Sequence, residues 1–317
     1  MSSPTKPRIL KGVVPPVCTP FTSDYKVDEK SLRNLINHLI DGGVHGLFIL
    51  GSTSEVAYLT DSNRAEVIRI AMDEVKGRVP VVVGAIDTTT LRVIEHVKTA
   101  VAAGVEGIVI TAPFYVRTHP AEITNHFRLV KKACPDIPIY AYDIPIAVNG
   151  VKLDLGTVLT LAKEGTIHGL KDSSGNDAGI RAVLLGIKAL KLDDFVVLTG
   201  SELTVDSALI FGADGVIPGI GNVDPAGYVK IFDLVKSGDL AGARKEQERL
   251  FDMFGLVDVG ASDRMGRGSS AIGAFKAALK LLGIIEDART APPAIPLNEN
   301  EIAAIKPFLT RAGLQLK

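Results

Sequence analysis

Only two cysteines, Cys18 and Cys134, occur in 317 residues, with no CxxC and no cluster of cysteine and histidine. That argues against a disulfide scaffold or a zinc site and leads to the expectation of a reducing, cytoplasmic compartment. An excess of one charge is also missing. The formal net charge is −1, and acids and bases are mixed along the chain, so neither nucleic acid nor an anionic membrane is expected as a partner. No apolar run is long enough to span a bilayer, and residues 1–11 are polar and proline-containing, unlike a signal peptide. No Gly-x-Gly-x-x-Gly follows the first apolar segment, which argues against a dinucleotide-binding sheet. His45, His96, His119, His126 and His168 are scattered, and none stands at a recognisable spacing from an acid and a nucleophile. No set of histidines and carboxylates has a metal-ligand pattern, so no metal is expected.

What the chain has instead is an alternation of apolar and amphipathic segments. Apolar, β-branched runs at 12–17, 46–50, 79–85, 107–111, 137–143, 166–171, 195–199 and 214–218 read as strands. Between them, 31–41, 61–75, 90–103, 121–133, 155–162, 177–189 and 204–211 read as helices. The first helix carries Leu32, Leu35, Ile36, Leu39 and Ile40 at helical spacing and stops at Gly42-Gly43; the second opens on Asp61 as its N-cap. Strands apolar on both faces suit a parallel sheet covered by helices. Eight such units predict an α/β chain folded as a (β/α)8 TIM barrel. From 225 on the strands stop, and 225–236, 240–257, 270–282 and 299–312 read as helices, with a proline-rich link at 291–296. The expected organisation is a catalytic barrel over 1–224 and a C-terminal helical extension over 225–317.

Such a barrel builds its site from the loops at the C-terminal ends of its strands, so the residues closing each strand are the candidates. They are Ser52 and Thr53 after the second strand, Tyr115 after the fourth, Tyr142 and Asp143 at the fifth, Lys171 at the sixth, Ser201 and Glu202 after the seventh, and the 218–222 turn after the eighth. Burial at the end of an apolar strand disfavours an ammonium group and leaves neutral amine free to attack a carbonyl, which is the reading for Lys171. The same lysine could merely end a strand and pair with Asp172. Tyr142 is either a core tyrosine or a phenol moving protons beside an imine. Ser52 and Thr53 either cap the next helix or hold a carboxylate. Glu202, taken alone, reads as a helix N-terminal acid, and the glycines of 219–222 mark either a tight turn or a phosphate cradle.

Together these residues resemble the dihydrodipicolinate synthase / N-acetylneuraminate lyase family of class I aldolases. The anchors are Gly12-Val13-Val14-Pro15-Pro16-Val17-Cys18-Thr19-Pro20-Phe21, Gly51-Ser52-Thr53-Ser54-Glu55, Pro113-Phe114-Tyr115, Tyr142-Asp143-Ile144-Pro145 and Gly169-Leu170-Lys171-Asp172, in order on the expected strands. The resemblance spans 12 to about 282 and implies roles residue by residue. Lys171 matches the lysine that forms an imine with pyruvate or another 2-keto acid. Tyr142 matches the tyrosine that shuttles protons as the imine forms and the carbon–carbon bond is made or cleaved. Ser52 and Thr53 match the pair that binds the keto acid's carboxylate. Thr53 also matches the hydroxyl linking Tyr142 to a second tyrosine. Tyr115 matches that second tyrosine, which in tetrameric members reaches the neighbouring subunit's site. Ile217 matches a residue whose main-chain carbonyl faces the site. No cofactor is implied beyond the covalent imine on Lys171, because a protonated imine is itself the electron sink. The implied partners are a small 2-keto acid and an aldehyde, in a homotetramer or homodimer.

The departures carry information too. Ser54 stands where the family usually has glycine. Ala147 stands where dihydrodipicolinate synthases carry an arginine that grips the second substrate's carboxylate, and a lost cation there costs roughly a few kcal/mol of binding. Lys171-Asp172-Ser173-Ser174-Gly175 looks like the sugar-acid branch. Glu202 falls where lyases place hydroxyl-binding acids, and Asp143, in place of a frequent asparagine, is expected to serve the same end. The expected function is a class I lyase that cleaves, condenses or dehydrates a 2-keto-3-deoxy sugar acid. The alternatives are 4-hydroxy-tetrahydrodipicolinate synthase, N-acetylneuraminate lyase and a non-catalytic keto-acid-binding barrel; retention of both Lys171 and Tyr142 argues against the last.

Overall fold

Each apolar run supplies one strand: β1 (Gly12–Val13), β2 (Leu47–Ile49), β3 (Val81–Gly84), β4 (Gly107–Thr111), β5 (Ile139–Asp143), β6 (Gly169–Asp172), β7 (Val196–Thr199) and β8 (Gly215–Val216). The computed structural model describes residues 10–317; residues 1–9, most of the stretch read as unlike a signal peptide, lie outside the described residues. The strands pair in parallel in the order β1-β8-β7-β6-β5-β4-β3-β2. The two ends of that order meet. Phe48 of β2 gives its N–H to the Pro15 carbonyl (3.0 Å) and accepts from the Val17 N–H (2.9 Å), forming a parallel bridge that closes the ring. The first and last strands are shorter than their apolar runs because Pro15, Pro16 and Pro218 have no N–H with which to extend a ladder. Glycine is required where β1 and β8 pair, since a Cβ on Gly215 would lie 2.0 Å from the Gly12 carbonyl oxygen.

A helix follows every strand: α1 (Glu29–Asp41), α2 (Asp61–Val75), α3 (Thr90–Ala102), α4 (Pro120–Ala133), α5 (Leu155–Lys163), α6 (Asp177–Ala189), α7 (Val205–Ile210) and α8 (Pro225–Ser237). Side-chain caps set several starts. Asp28, Asp154, Asn176 and Asp224 each accept the N–H three residues on. The cap of α2 is Thr60, with Asp61 as the first helical residue, one position later than its expected role. The apolar stripe of α1 buries Leu32, Leu35, Ile36 and Leu39 completely, each contributing about 1.5–3 kcal/mol.

Because a βα unit needs its helix to cover its strand, α8 belongs to the barrel. It packs on α7 and β1. The helices beyond are α9 (Leu240–Phe254), α10 (Arg267–Leu281) and α11 (Glu299–Arg311). The first lies against α8, and the other two against each other. Among the described residues no helix is long and apolar enough to cross a membrane.

Candidate active site

Parallel pairing of β5 with β6 sets Tyr142 opposite Lys171 and Asp143 opposite Asp172. Side chains alternate along a strand, so the first pair shares one face of the sheet and the second pair the other. Lys171 is 4% exposed. Its Nζ lies 4.0 Å from the centre of the Tyr142 ring and 5.0 Å from that of Phe48, reached from β2 across the barrel. The two rings meet edge to face at 6.4 Å and 81°. Aromatic faces favour a cation by about 0.5–2 kcal/mol, so they hold the amine without sequestering it. Asp172, the partner a strand-ending lysine would take, is committed elsewhere. It accepts from Lys152 (3.0 Å) and from the N–H and hydroxyl of Ser174 (2.8 and 2.6 Å).

The turn after β2 carries Ser52, exposed, and Thr53, half-buried. It is clamped between left-handed residues, Leu50 at φ 59° and Glu55 at φ 61°. Ser54 is the anchor: buried, it gives its hydroxyl to the Val17 carbonyl (2.5 Å) and accepts the Gly51 N–H (3.0 Å), while Thr19 bonds its carbonyl (2.8 Å). Glu55 is buried against Lys276 of α10. Cys18 lies beside this pair, and burial pushes its thiol up to about 12, which keeps it protonated and inert.

Glu202 follows β7 by three residues. Its carboxylate accepts the Ile220 N–H at 2.5 Å, and its main-chain carbonyl accepts from Tyr228 Oη (3.2 Å) and Gln247 Nε2 (3.0 Å). Burial raises its pKa to about 7, against the opposing pull of the Ile220 and Gly219 N–H groups and of the Lys171 charge. That last influence ties Glu202 electrostatically to the amine. Ile217 is buried just past β8 and gives its N–H to Thr199 (2.9 Å). The 219–222 segment is a tight turn: Asn222 accepts the Cys18 N–H (3.0 Å) and donates to the Pro16 and Gly219 carbonyls (2.8 and 2.7 Å), stapling β8 to the end of β1.

Two expected residues stand apart from this group. Tyr115, with a left-handed backbone at φ 72°, is 88% exposed, as a residue expected to reach a neighbouring subunit's site would be in a single chain. The Asp143 carboxylate faces Lys152 and the Leu153 N–H (3.2 Å) on the reverse of the sheet.

The sequence model of the Dihydrodipicolinate synthetase family matches residues 9–312. This chain belongs to that family. A 4-hydroxy-tetrahydrodipicolinate synthase of Methanothermobacter thermautotrophicus is 35% identical over 248 residues, 78% of this chain and 87% of the relative. YagE of Escherichia coli K12, provisionally named a 2-dehydro-3-deoxy-D-gluconate aldolase, is 31% identical over 96% of this chain and 98% of its own. Its crystal structure, a complex with pyruvate, superposes with a TM-score of 0.89 over 97% of this chain and all of that one. The Thermotoga maritima dihydrodipicolinate synthase superposes with 0.88 at 25% identity, over 97% of this chain and 100% of that one. This dihydrodipicolinate synthetase family member is a class I lyase that forms a Schiff base with a 2-keto acid.

Within the family frame, Ala147 lies exposed on a 3₁₀ turn, Pro145–Ala147. Sequence reasoning passed over Phe48, Lys152, Tyr228, Gln247 and Lys276. Phe48 sits inside an apolar strand, and the others lie on helices or loops where lysine, tyrosine and glutamine are ordinary. Only their long-range partners distinguish them. Among the described residues no three His, Cys, Asp or Glu side chains gather as a metal-ligand set.

Proposed function

We propose that Lys171 carries the imine and that the substrate is a 2-keto-3-deoxy sugar acid, cleaved in a retro-aldol reaction or dehydrated. The observation that carries this reading is the amine poised over the Tyr142 ring with Asp172 turned away from it. The Lys171 amine adds to the C2 carbonyl, and water leaves as the carbinolamine becomes a protonated imine. The imine draws in the electron pair when the C3–C4 bond breaks. Tyr142, left as the phenolate by giving its proton to the departing carbinolamine hydroxyl, takes the C4 hydroxyl proton as the aldehyde leaves and returns it to C3. The enamine left behind is protonated at C3 and hydrolysed to pyruvate and free Lys171. In a dehydration the same imine acidifies C3, and the C4 hydroxyl leaves as water.

Ser52 and Thr53 hold the carboxylate in this reading, and the Ile217 carbonyl faces the keto-acid end. Glu202 receives the hydroxyls of the tail, a part for which Asp143 is unsuited because Lys152 and Leu153 occupy its carboxylate. Pyruvate in the YagE complex supports the keto-acid end. The named synthase among the relatives favours a second reading, condensation of pyruvate with aspartate semialdehyde; Ala147, which offers no cation to that aldehyde's carboxylate, weighs against it. The proposed working unit is a homotetramer or homodimer, in which a neighbour covers Tyr115 and Ile146, 88% and 93% exposed in the single chain. A cytoplasmic setting fits the two free cysteines.

Borohydride reduction in the presence of pyruvate, followed by intact mass measurement, tests the imine. A covalent pyruvyl adduct is expected, absent in Lys171→Ala. Wild-type protein that traps neither pyruvate nor any other 2-keto acid ends this reading. Pyruvate release from a panel of keto-deoxy sugar acids, set against consumption of aspartate semialdehyde, decides between the two substrates.

A further inference from the structure

Asp143 and Asp172 stand opposite each other in the β5–β6 ladder, one residue beyond the Tyr142–Lys171 pair. Neither side chain reaches solvent. Neighbouring strands lie about 4.8 Å apart, and like charges directly opposite one another destabilise a sheet. Two carboxylates in this position would push apart the ends of the two strands that carry the amine and the phenol.

One cation lies between them. Lys152, from the segment leading into α5, pairs with Oδ2 of Asp143 and with Oδ2 of Asp172, the latter at 3.0 Å. The Oδ1 atoms are satisfied locally. Asp143 Oδ1 accepts the Leu153 N–H (3.2 Å), and Asp172 Oδ1 accepts the N–H and hydroxyl of Ser174 (2.8 and 2.6 Å). Each carboxylate is therefore tied to its own loop by one oxygen and to its opposite number, through Lys152, by the other. Lys152 is 35% exposed, so it enters from the outside of the barrel, behind the sheet face that bears Tyr142 and Lys171.

We propose that Lys152 is a positioning residue: by bridging Asp143 and Asp172 it holds the ends of β5 and β6 in register and so fixes the offset of Tyr142 from Lys171. This rests on the reading of Lys171 as the imine lysine. It deepens that reading by giving both strand-end aspartates a part in geometry, with no contact to substrate. With asparagine at 143 only one carboxylate would remain, and the amide could donate to it.

The test compares wild type, Lys152→Met, and Lys152→Met combined with Asp143→Asn, using pyruvate with cyanoborohydride as the probe and thermal melting as an independent readout. Lys152→Met is expected to lower the maximal trapping rate by on the order of tenfold or more, with the half-saturating pyruvate concentration within about twofold of wild type, because the carboxylate-binding turn is untouched. The melting temperature falls with it. Adding Asp143→Asn removes one of the two charges and is expected to return the rate to within about threefold of wild type and to recover most of the melting temperature. A side chain needed only for its volume would not be rescued this way. Wild-type trapping by Lys152→Met overturns the proposal, and so does a loss that Asp143→Asn leaves unrepaired. Should Lys152→Met fail to fold, the double variant carries the test, and its failure to fold overturns the proposal as well. Wild-type protein that traps nothing refutes the imine reading instead. The bridge is then judged on melting temperature, where an unrepaired loss overturns it.

Discussion

Glu55 and Lys276 form an ion pair in which neither side chain reaches solvent. Glu55 belongs to the turn that carries Ser52 and Thr53, and Lys276 to α10, beyond the barrel. Glu55 also accepts the Ala291 N–H (2.6 Å). Lys276 donates to the Arg289 carbonyl (2.9 Å) and lies 4.1 Å from the centre of the Phe21 ring. The pair thus moors the proposed carboxylate clamp, with its left-handed residue at 55, to the C-terminal helices.

Removing one member of a buried pair strands the other. Lys276→Met leaves the Glu55 carboxylate buried without its cation and is expected to cost about 3–5 kcal/mol in a urea melt. Lys276→Met with Glu55→Gln leaves no buried charge, and the loss is expected to fall to less than half of that. Equal losses in the two proteins would assign the effect to volume and remove charge pairing from the account.

Tyr142→Phe keeps the ring that packs edge-on against Phe48 and removes only the phenol oxygen. The fold and melting temperature are expected to stay close to wild type, and turnover is expected to fall about 100-fold or more, the usual share of a general acid–base group. Lys171 remains the residue trapped by borohydride, at a slower rate. Turnover equal to wild type would take Tyr142 out of the mechanism.

On the proposed reading, Glu202 gives the site a pH dependence. Its pKa is about 7 against 4.5 in the unfolded chain, chiefly through burial. Below about 7 it is neutral in the fold and can donate to a hydroxyl; above, it can only accept. The KM for a hydroxylated keto acid is therefore expected to change with a midpoint near 7, and Glu202→Gln abolishes that change. Stability carries the opposite check. Between about 4.5 and 7 the folded protein holds a proton that the unfolded chain has lost, so stability declines as pH rises across that window. A KM profile in which Glu202→Gln retains the same midpoint would assign the titration to another group.

Much of this arrangement is written locally in the chain. The spans 61–75 and 177–189 fold as helices over the same residues that their apolar spacing predicts, because periodicity and caps act within a few residues of each other. That Tyr142 and Lys171 stand near the ends of adjacent strands was readable because an apolar run closes at each. The direction of Asp143 was not readable, since a strand's inward and outward faces differ only by register, and the cation that claims it lies in a loop. Nor could a lysine within α10 announce itself as buried. Its carboxylate partner lies far away in the sequence, on the turn after β2, and only packing brings the two together. β1 and β8 are shorter than their apolar runs because prolines, which cannot donate to a ladder, stand among the apolar residues.

Tyr228 and Gln247, from α8 and α9, both bond the main-chain carbonyl of Glu202, and Gln247 also accepts the Val205 N–H at the start of α7 (2.8 Å). The loop after β7 is therefore not a free module. Grafting it alone onto a sister barrel, to transfer a preference for one sugar tail over another, would carry the acid across without the two donors that seat it. On the proposed role of Glu202, a transplant of specificity has to move residues 202, 228 and 247 as one unit, drawn from three separate stretches of the gene.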